Sequence, residues 1–260
     1  MRFILVLFGL IIVCTLTSSN VFAIEPIMIT ISADRDKVIF DGKWTFYKEW
    51  KNTSLDTMNF VDGNAFVLRT AHQGNFVYAM IDATTFTKVN DHTDKATICF
   101  DSNNTKSIIP DAGDYCFIAT IGENQPVTLQ GGSELVFTNH YKKISNLPEL
   151  RGVGGVSDEN DRYSVTPHES YEFKIPTDLI GRSDKYGFYI EVLNSHKLYT
   201  WPTQNSTSLD ISKISSPDKW GEIVSPDKSL PEFPTPVITL VIGFSLFIYM
   251  TKTKLIRFTR

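Results

Sequence analysis

Between residues 27 and 193 the apolar positions recur every second residue, in short runs separated by turn residues, and no long stretch repeats at 3.6. Period two belongs to strands with one buried face, so the pattern argues an all-β fold. Residues 27–31 read as one strand. Residues 65–70 and 75–81 read as a hairpin with Gly74 in its turn. In 95–100, Ala96, Ile98 and Phe100 share a face; in 115–121, Tyr115, Phe117 and Ala119 do. Runs at 127–129, 134–137, 162–165, 171–175 and 186–193 continue the series. β-branched and aromatic enrichment with regular turns predicts an immunoglobulin-like or jelly-roll β-sandwich. Two stretches look irregular. Residues 145–161 hold Pro148, three glycines and an acidic patch, and read as a long loop. Residues 215–236, rich in Ser and Pro, read as a stalk.

The ends differ from this middle. Met1-Arg2, an apolar run to Val13 and the small-residue site Val21-Phe22-Ala23 predict a secretion signal over 1–23. The sandwich is expected over 24–223 and a Pro/Ser linker over 224–236. Residues 237–251 carry no charge until the basic tail 252–260, with Lys252, Lys254, Arg257 and Arg260. Such a run followed by cations predicts a membrane span with the tail inside. Together the ends predict a cell-surface protein with its bulk outside. Leu230-Pro231-Glu232-Phe233-Pro234 before the apolar run resembles the PEF-type sorting signal of archaeal surface proteins. That resemblance implies a tail that is processed and replaced by a lipid.

The whole chain carries −4; without Arg2 and the four tail cations the remainder carries −9. Such a surface repels phosphate backbones and argues against nucleic acid. Cys14 leaves with the signal, so Cys99 and Cys116 form the natural disulfide of an oxidising compartment. Closing that loop stabilises the fold by roughly 3 kcal/mol in the chain-entropy account. Asn52, Asn103 and Asn205 head N-x-S/T sequons and are expected on glycosylated surface loops.

Asp41-Gly42-Lys43-Trp44 with Glu49-Trp50 resembles the opening of family 9 carbohydrate-binding modules and their DOMON-like relatives. Phe76 to Asp82, Thr97 to Asp101, Tyr171 to Pro176 and Gly187 to Asn194 resemble that family's successive strands. Thr200-Trp201-Pro202 and Trp220-Gly221-Glu222-Ile223 resemble its close. The resemblance implies a β-sandwich that binds a polysaccharide or glycoconjugate without catalysis, its sugar held between aromatic faces. Trp50 and Trp220 fall in framework motifs and read as core. Trp201, with Pro202 and Asn205 suggesting a loop around it, is the expected platform, and Tyr199 and Trp44 complete the candidate set. Trp44 also fits a core position. On this reading Trp201→Ala abolishes sugar binding and leaves melting nearly unchanged. An adhesive or structural envelope role without a small ligand is the alternative.

The family resemblance also implies structural calcium, for which Asp91 and Asp94, with Asp101 nearby in sequence, are the expected ligands. No acidic run follows the EF-hand pattern. Redox relatives hold haem b on Met with Lys or His; Met58, Met80, His72, His92, His140, His168 and His196 are the residues available for that role. No C-x-x-C-H, G-x-S-x-G, H-E-x-x-H or P-loop occurs. If the chain serves an enzyme at all, the resemblance implies a glycoside-hydrolysing system.

Overall fold

The computed structural model describes residues 24–204 and 214–225. They form β1 (Ile27–Met28), β2 (Thr30–Ile31), β3 (Ser54–Asn59), β4 (Ala65–Gln73), β5 (Phe76–Ala83), β6 (Lys95–Asp101) and β7 (Asp114–Thr120). There follow β8 (Val127–Gln130), β9 (Lys142–Ile144), β10 (Arg151–Val156), β11 (Glu169–Pro176), α1 (Thr177–Ile180), β12 (Lys185–Asn194), β13 (Lys197–Trp201) and β14 (Gly221–Val224). One sheet runs β1-β14-β12-β6-β7-β8-β9, with β13 also on β12; the other runs β10-β11-β5-β4-β2, with β3 also on β4. The result is an all-β sandwich of two sheets. The secretion signal, the apolar run 237–251 and the PEF segment lie outside the described residues. Among the described residues no helix is long and apolar enough to cross a membrane.

The alternation read from the sequence sorts the faces. Ala96, Ile98 and Phe100 of β6 meet Phe117 and Ala119 of β7, Phe66 and Leu68 of β4, and Phe173 and Ile175 of β11 in one core between the sheets. Burying each phenylalanine there contributes roughly 2–3 kcal/mol. The opposite face of β6–β7 carries Cys99 and Cys116, directly paired in register. They form the expected disulfide. Tyr141, Tyr189 and Trp220 cover it, with Tyr189 and Trp220 stacked at 5.9 Å.

A third layer covers the middle of the outer face of the six-stranded sheet. Residues 34–53 wrap across it and bury Trp44 and Trp50 against Tyr78 and Met80 of β5. The wrap is held by two carboxylates. Glu49 accepts backbone N–H bonds from Ile39 at 2.8 Å and Thr45 at 2.7 Å. Glu172 of β11 accepts from Asp41 N at 3.0 Å, Gly42 N at 2.8 Å and the Trp50 indole at 2.9 Å. Gly42 has φ 79°, and a Cβ there would stand 2.4 Å from Gly155 N, so this turn requires glycine twice over.

Five readings of the sequence are corrected. Residues 27–31 are not one strand: the chain leaves the first sheet after Met28 and enters the second at Thr30, with buried Ile29 plugging the seam. Residues 134–137 do not form a strand, because Val136–Thr138 is a 3-10 turn ended by Asn139 at φ 52°. Residues 162–165 form none either: Asp161 Oδ1 accepts from Tyr163 N at 2.7 Å and Ser164 N at 3.0 Å, a local turn that competes with any ladder. The loop read over 145–161 contains β10. Its glycines serve close packing, since a Cβ on Gly154 would meet Ile121 N at 2.9 Å and one on Gly155 would meet Asp41 O at 2.8 Å. Finally, the stretch read as a stalk begins inside the sandwich, where β14 fills the place between β12 and β1.

Candidate functional site

The even-numbered residues of β5 point to the outer face in a row: Phe76, Tyr78, Met80, Asp82. The wrap over 34–53 covers the middle of this row and leaves its start open. Around the β4–β5 turn lies a groove of about 540 Å³ lined by Phe76, Tyr78, Gln73, Asn75, Lys174, Asp36, Glu149 and Asp178. Phe76 is half-buried and meets Tyr78 edge-on at 6.2 Å. Lys174 Nζ sits 4.0 Å from the Phe76 ring centroid, a cation–π contact. Burial, with Asp36 nearby, pushes the Tyr78 phenol up from its ordinary value. Gln73 is oriented by the Arg35 backbone N–H, which donates to its Oε1 at 2.6 Å. Asn75 Oδ1 accepts from the Arg182 guanidinium, which leaves the amide nitrogen as a donor. Aromatic carbon, amide donors and carboxylate acceptors thus meet around one hairpin turn, the carboxylates of Asp36, Glu149 and Asp178 coming from outside it. That combination is chemically suited to a flat, hydroxyl-bearing molecule, whose C–H face can pack on Phe76 while its hydroxyls meet polar groups at the rim.

A second cavity of about 770 Å³ lies beside the β7–β8 turn, lined by His92, Glu123, Gln125, Lys143 and Asn146 among others. His92 Nδ1 and Glu123 Oε1 stand 3.0 Å apart there, both exposed. This cavity has polar partners and no Phe, Tyr or Trp face.

The aromatic trio expected to bind sugar is not brought together. Trp44 is 1% exposed and its indole donates to Phe46 O at 2.7 Å, so it presents no face to a ligand. Tyr199 is buried against Phe86 at 4.6 Å and Phe60 at 5.0 Å, with its hydroxyl held by Asp62 and Asn64. Trp201 is half-buried, leans on Phe188 at 6.1 Å, and lies so flat on Gly221 that a Cβ there would stand 2.4 Å from the indole. Trp201 packs at a corner of the sandwich rather than standing free in a loop. Trp201→Ala is therefore expected to lower stability by roughly 2–4 kcal/mol rather than leave melting unchanged, which urea titration would measure.

The expected calcium ligands do not fit one ion. Asp94 and Asp101 flank β6 at opposite ends, roughly 23 Å apart at the ordinary strand rise. Asp94 already accepts from Asn90 N at 2.8 Å and Ser195 N at 3.0 Å, while Asp91 is exposed. Asp101 instead faces Asp114 across β6–β7. Asn52 and Asn103 are exposed, and Asn205 lies outside the described residues. Of the side chains considered for haem, Met80 is buried among the wrap tryptophans and Met58 packs beside the main core. His72 bonds Ser225 Oγ at 2.9 Å, and His168 faces Asp82.

No protein-family model matches the sequence, and no curated protein matches it. Among solved structures, a family 9 carbohydrate-binding module from Caldicellulosiruptor kristjanssonii in complex with cellotriose is similar at 13% identity. The match covers 81% of this chain and 100% of that one, with a TM-score of 0.47. A family 9 module from the same organism in complex with glucose is similar at 11% identity, covering 77% of this chain and 95% of that one, with a TM-score of 0.49.

Phe76 escaped the reading of the sequence as a site residue, although its outward position in β5 was legible. What marks it is the turn: Gln73, Gly74 and Asn75 break the strand and expose its first aromatic.

Proposed function

We propose that this protein binds carbohydrate without catalysis, taking an oligosaccharide or glycoconjugate in the groove beside Phe76. The observation that carries the reading is the meeting of the partly exposed Phe76 ring with amide and carboxylate groups in one groove of ligand size. The sequence resemblance running from about Ile27 to Ile223 supports it. A glycan and polysaccharide screen on the purified protein, followed by calorimetry, tests it. Phe76→Ala is expected to weaken the best ligand at least about tenfold, while Trp201→Ala destabilises without a selective loss of affinity. Saturable binding untouched by Phe76→Ala would move the site elsewhere. No binding to any glycan would leave the structural or adhesive reading in its place.

We further infer that the domain is exported and held at a cell surface by residues 237–251. The Cys99–Cys116 disulfide, buried under Trp220, suits an oxidising compartment. The apolar run with its basic tail supplies the anchor.

A further inference from the structure

At the far end of the same β5 row, Asp82 meets His168 and Asp161 in a closed layer between the sheet and the 157–168 loop. One ligand atom from each lies within 4.8 Å of the other two, and all three residues are buried. From this geometry we propose that Asp82, Asp161 and His168 bind one divalent transition-metal ion, Zn²⁺ foremost, which clasps the loop onto the sheet.

The imidazole is already set for a ligand role. His168 Nδ1 lies 2.7 Å from Thr166 O, and a carbonyl only accepts, so Nδ1 carries the proton. Ser157 Oγ supports the same nitrogen at 2.8 Å. Nε2 is therefore the atom turned to the carboxylates, in contact with Asp82 Oδ1 and 4.0 Å from Asp161 Oδ1.

The oxygens around it are left over. Asp161 Oδ1 takes the Tyr163 and Ser164 amides, yet Asp161 Oδ2 and Asp82 Oδ2 are buried without a hydrogen-bond partner. Ser170 stands directly opposite Asp82 in the β11–β5 register, and its buried hydroxyl is also unpartnered. Three orphaned oxygens beside one oriented imidazole are unusual in a protein interior, where polar atoms are nearly always satisfied.

Charge points the same way. With a metal on Nε2 the imidazole would be neutral, and the two carboxylates would then carry −2, which a divalent ion cancels; without metal, Nε2–H donates to Asp82 Oδ1 in its place. The Arg69 guanidinium does not serve, being bonded to the Tyr163 hydroxyl and the Thr53 carbonyl. Imidazole with carboxylates selects Zn²⁺ and its neighbours over Ca²⁺, which prefers oxygen alone. The same loop sends Asp158 to Lys43 at 2.7 Å and Tyr163 edge-on to Trp44 at 6.0 Å, so the clasp also holds the wrap.

The test uses the purified full chain, stripped with chelator and titrated with Zn²⁺ by calorimetry, with melting and Co²⁺ visible absorption read alongside. We expect one equivalent of Zn²⁺, a melting rise of roughly 5–10 °C at saturating metal, and a Co²⁺ d–d band. Asp161→Asn and His168→Ala should abolish all three, and the exposed Asp91→Asn should keep them. If His168→Ala does not fold, Asp161→Asn, which preserves shape, carries the comparison. A stripped chain that stays folded and takes up no metal overturns the proposal. So does uptake undiminished in Asp161→Asn.

Discussion

Glu172→Ala is expected to cost at least about 4 kcal/mol of stability, the largest single loss in the molecule outside the hydrophobic core. Glu172 is wholly buried on the outer face of β11 and receives three donors: two backbone amides of the Asp41-Gly42 turn and the Trp50 indole. Burial pushes its carboxyl well above the usual range, while the indole and the Gly42 amide pull it back. Truncation leaves the buried Gly42 amide and Trp50 indole, and the part-buried Asp41 amide, without their acceptor and opens a void under the wrap. Each abandoned donor costs roughly 1–3 kcal/mol. Glu172→Gln is expected to fail nearly as badly, because its NH₂ would face one of those donors. Denaturant midpoints on the two variants, with exposed Glu159→Ala as control, measure this. A loss below about 1 kcal/mol would mean that the wrap holds itself without Glu172.

This residue shows where the sequence was legible and where it was not. The Asp-Gly and Glu-Trp motifs could be seen, and the local half of their logic follows from Gly42 and Glu49. The other half sits 130 residues away on another strand, and nothing local in Glu172 distinguishes it from a surface glutamate in an alternating run. Strand faces were readable because period two is a local property: Ala96, Ile98 and Phe100 went inward and Cys99 outward as expected. Coverage of an outward face is not local. Phe76 and Asp82 share one side of β5, but a groove exposes the first and a loop buries the second. The packing of Trp201 was hidden for the same reason, since its seat is Gly221, on the last strand. The glycines of β10 misled by composition: they read as loop, whereas they permit backbone to lie on backbone.

Raising the pH from 5 to 7 is expected to destabilise the protein, by roughly 2–3 kcal/mol for each of two buried carboxyls. Glu169 is wholly buried and close to Asp94; burial first, then that neighbour, push it up to about 8. Asp114 is pushed up to about 7 by burial, with Asp101 and Asp111 as like charges. Both lie above their unfolded values, so in this window the folded chain keeps protons that the unfolded chain has released. Stability from these groups is complete below the unfolded carboxyl range and drains away as pH rises through 7 and 8. The carboxylates held low work in the opposite sense, but Asp34, Asp62, Asp158 and Glu222 do so through lysine partners at or near the surface. Such pairs contribute little and lose their effect only in acid. Urea midpoints at pH 5, 6, 7 and 8 on chelator-treated protein should fall steadily. Glu169→Gln, whose amide can donate to Asp94 as the protonated acid does, should remove about half of the slope. A midpoint that stays level or rises over this range would show that the pair is already ionised in the fold, stabilised by donors such as Tyr171 and Asn194.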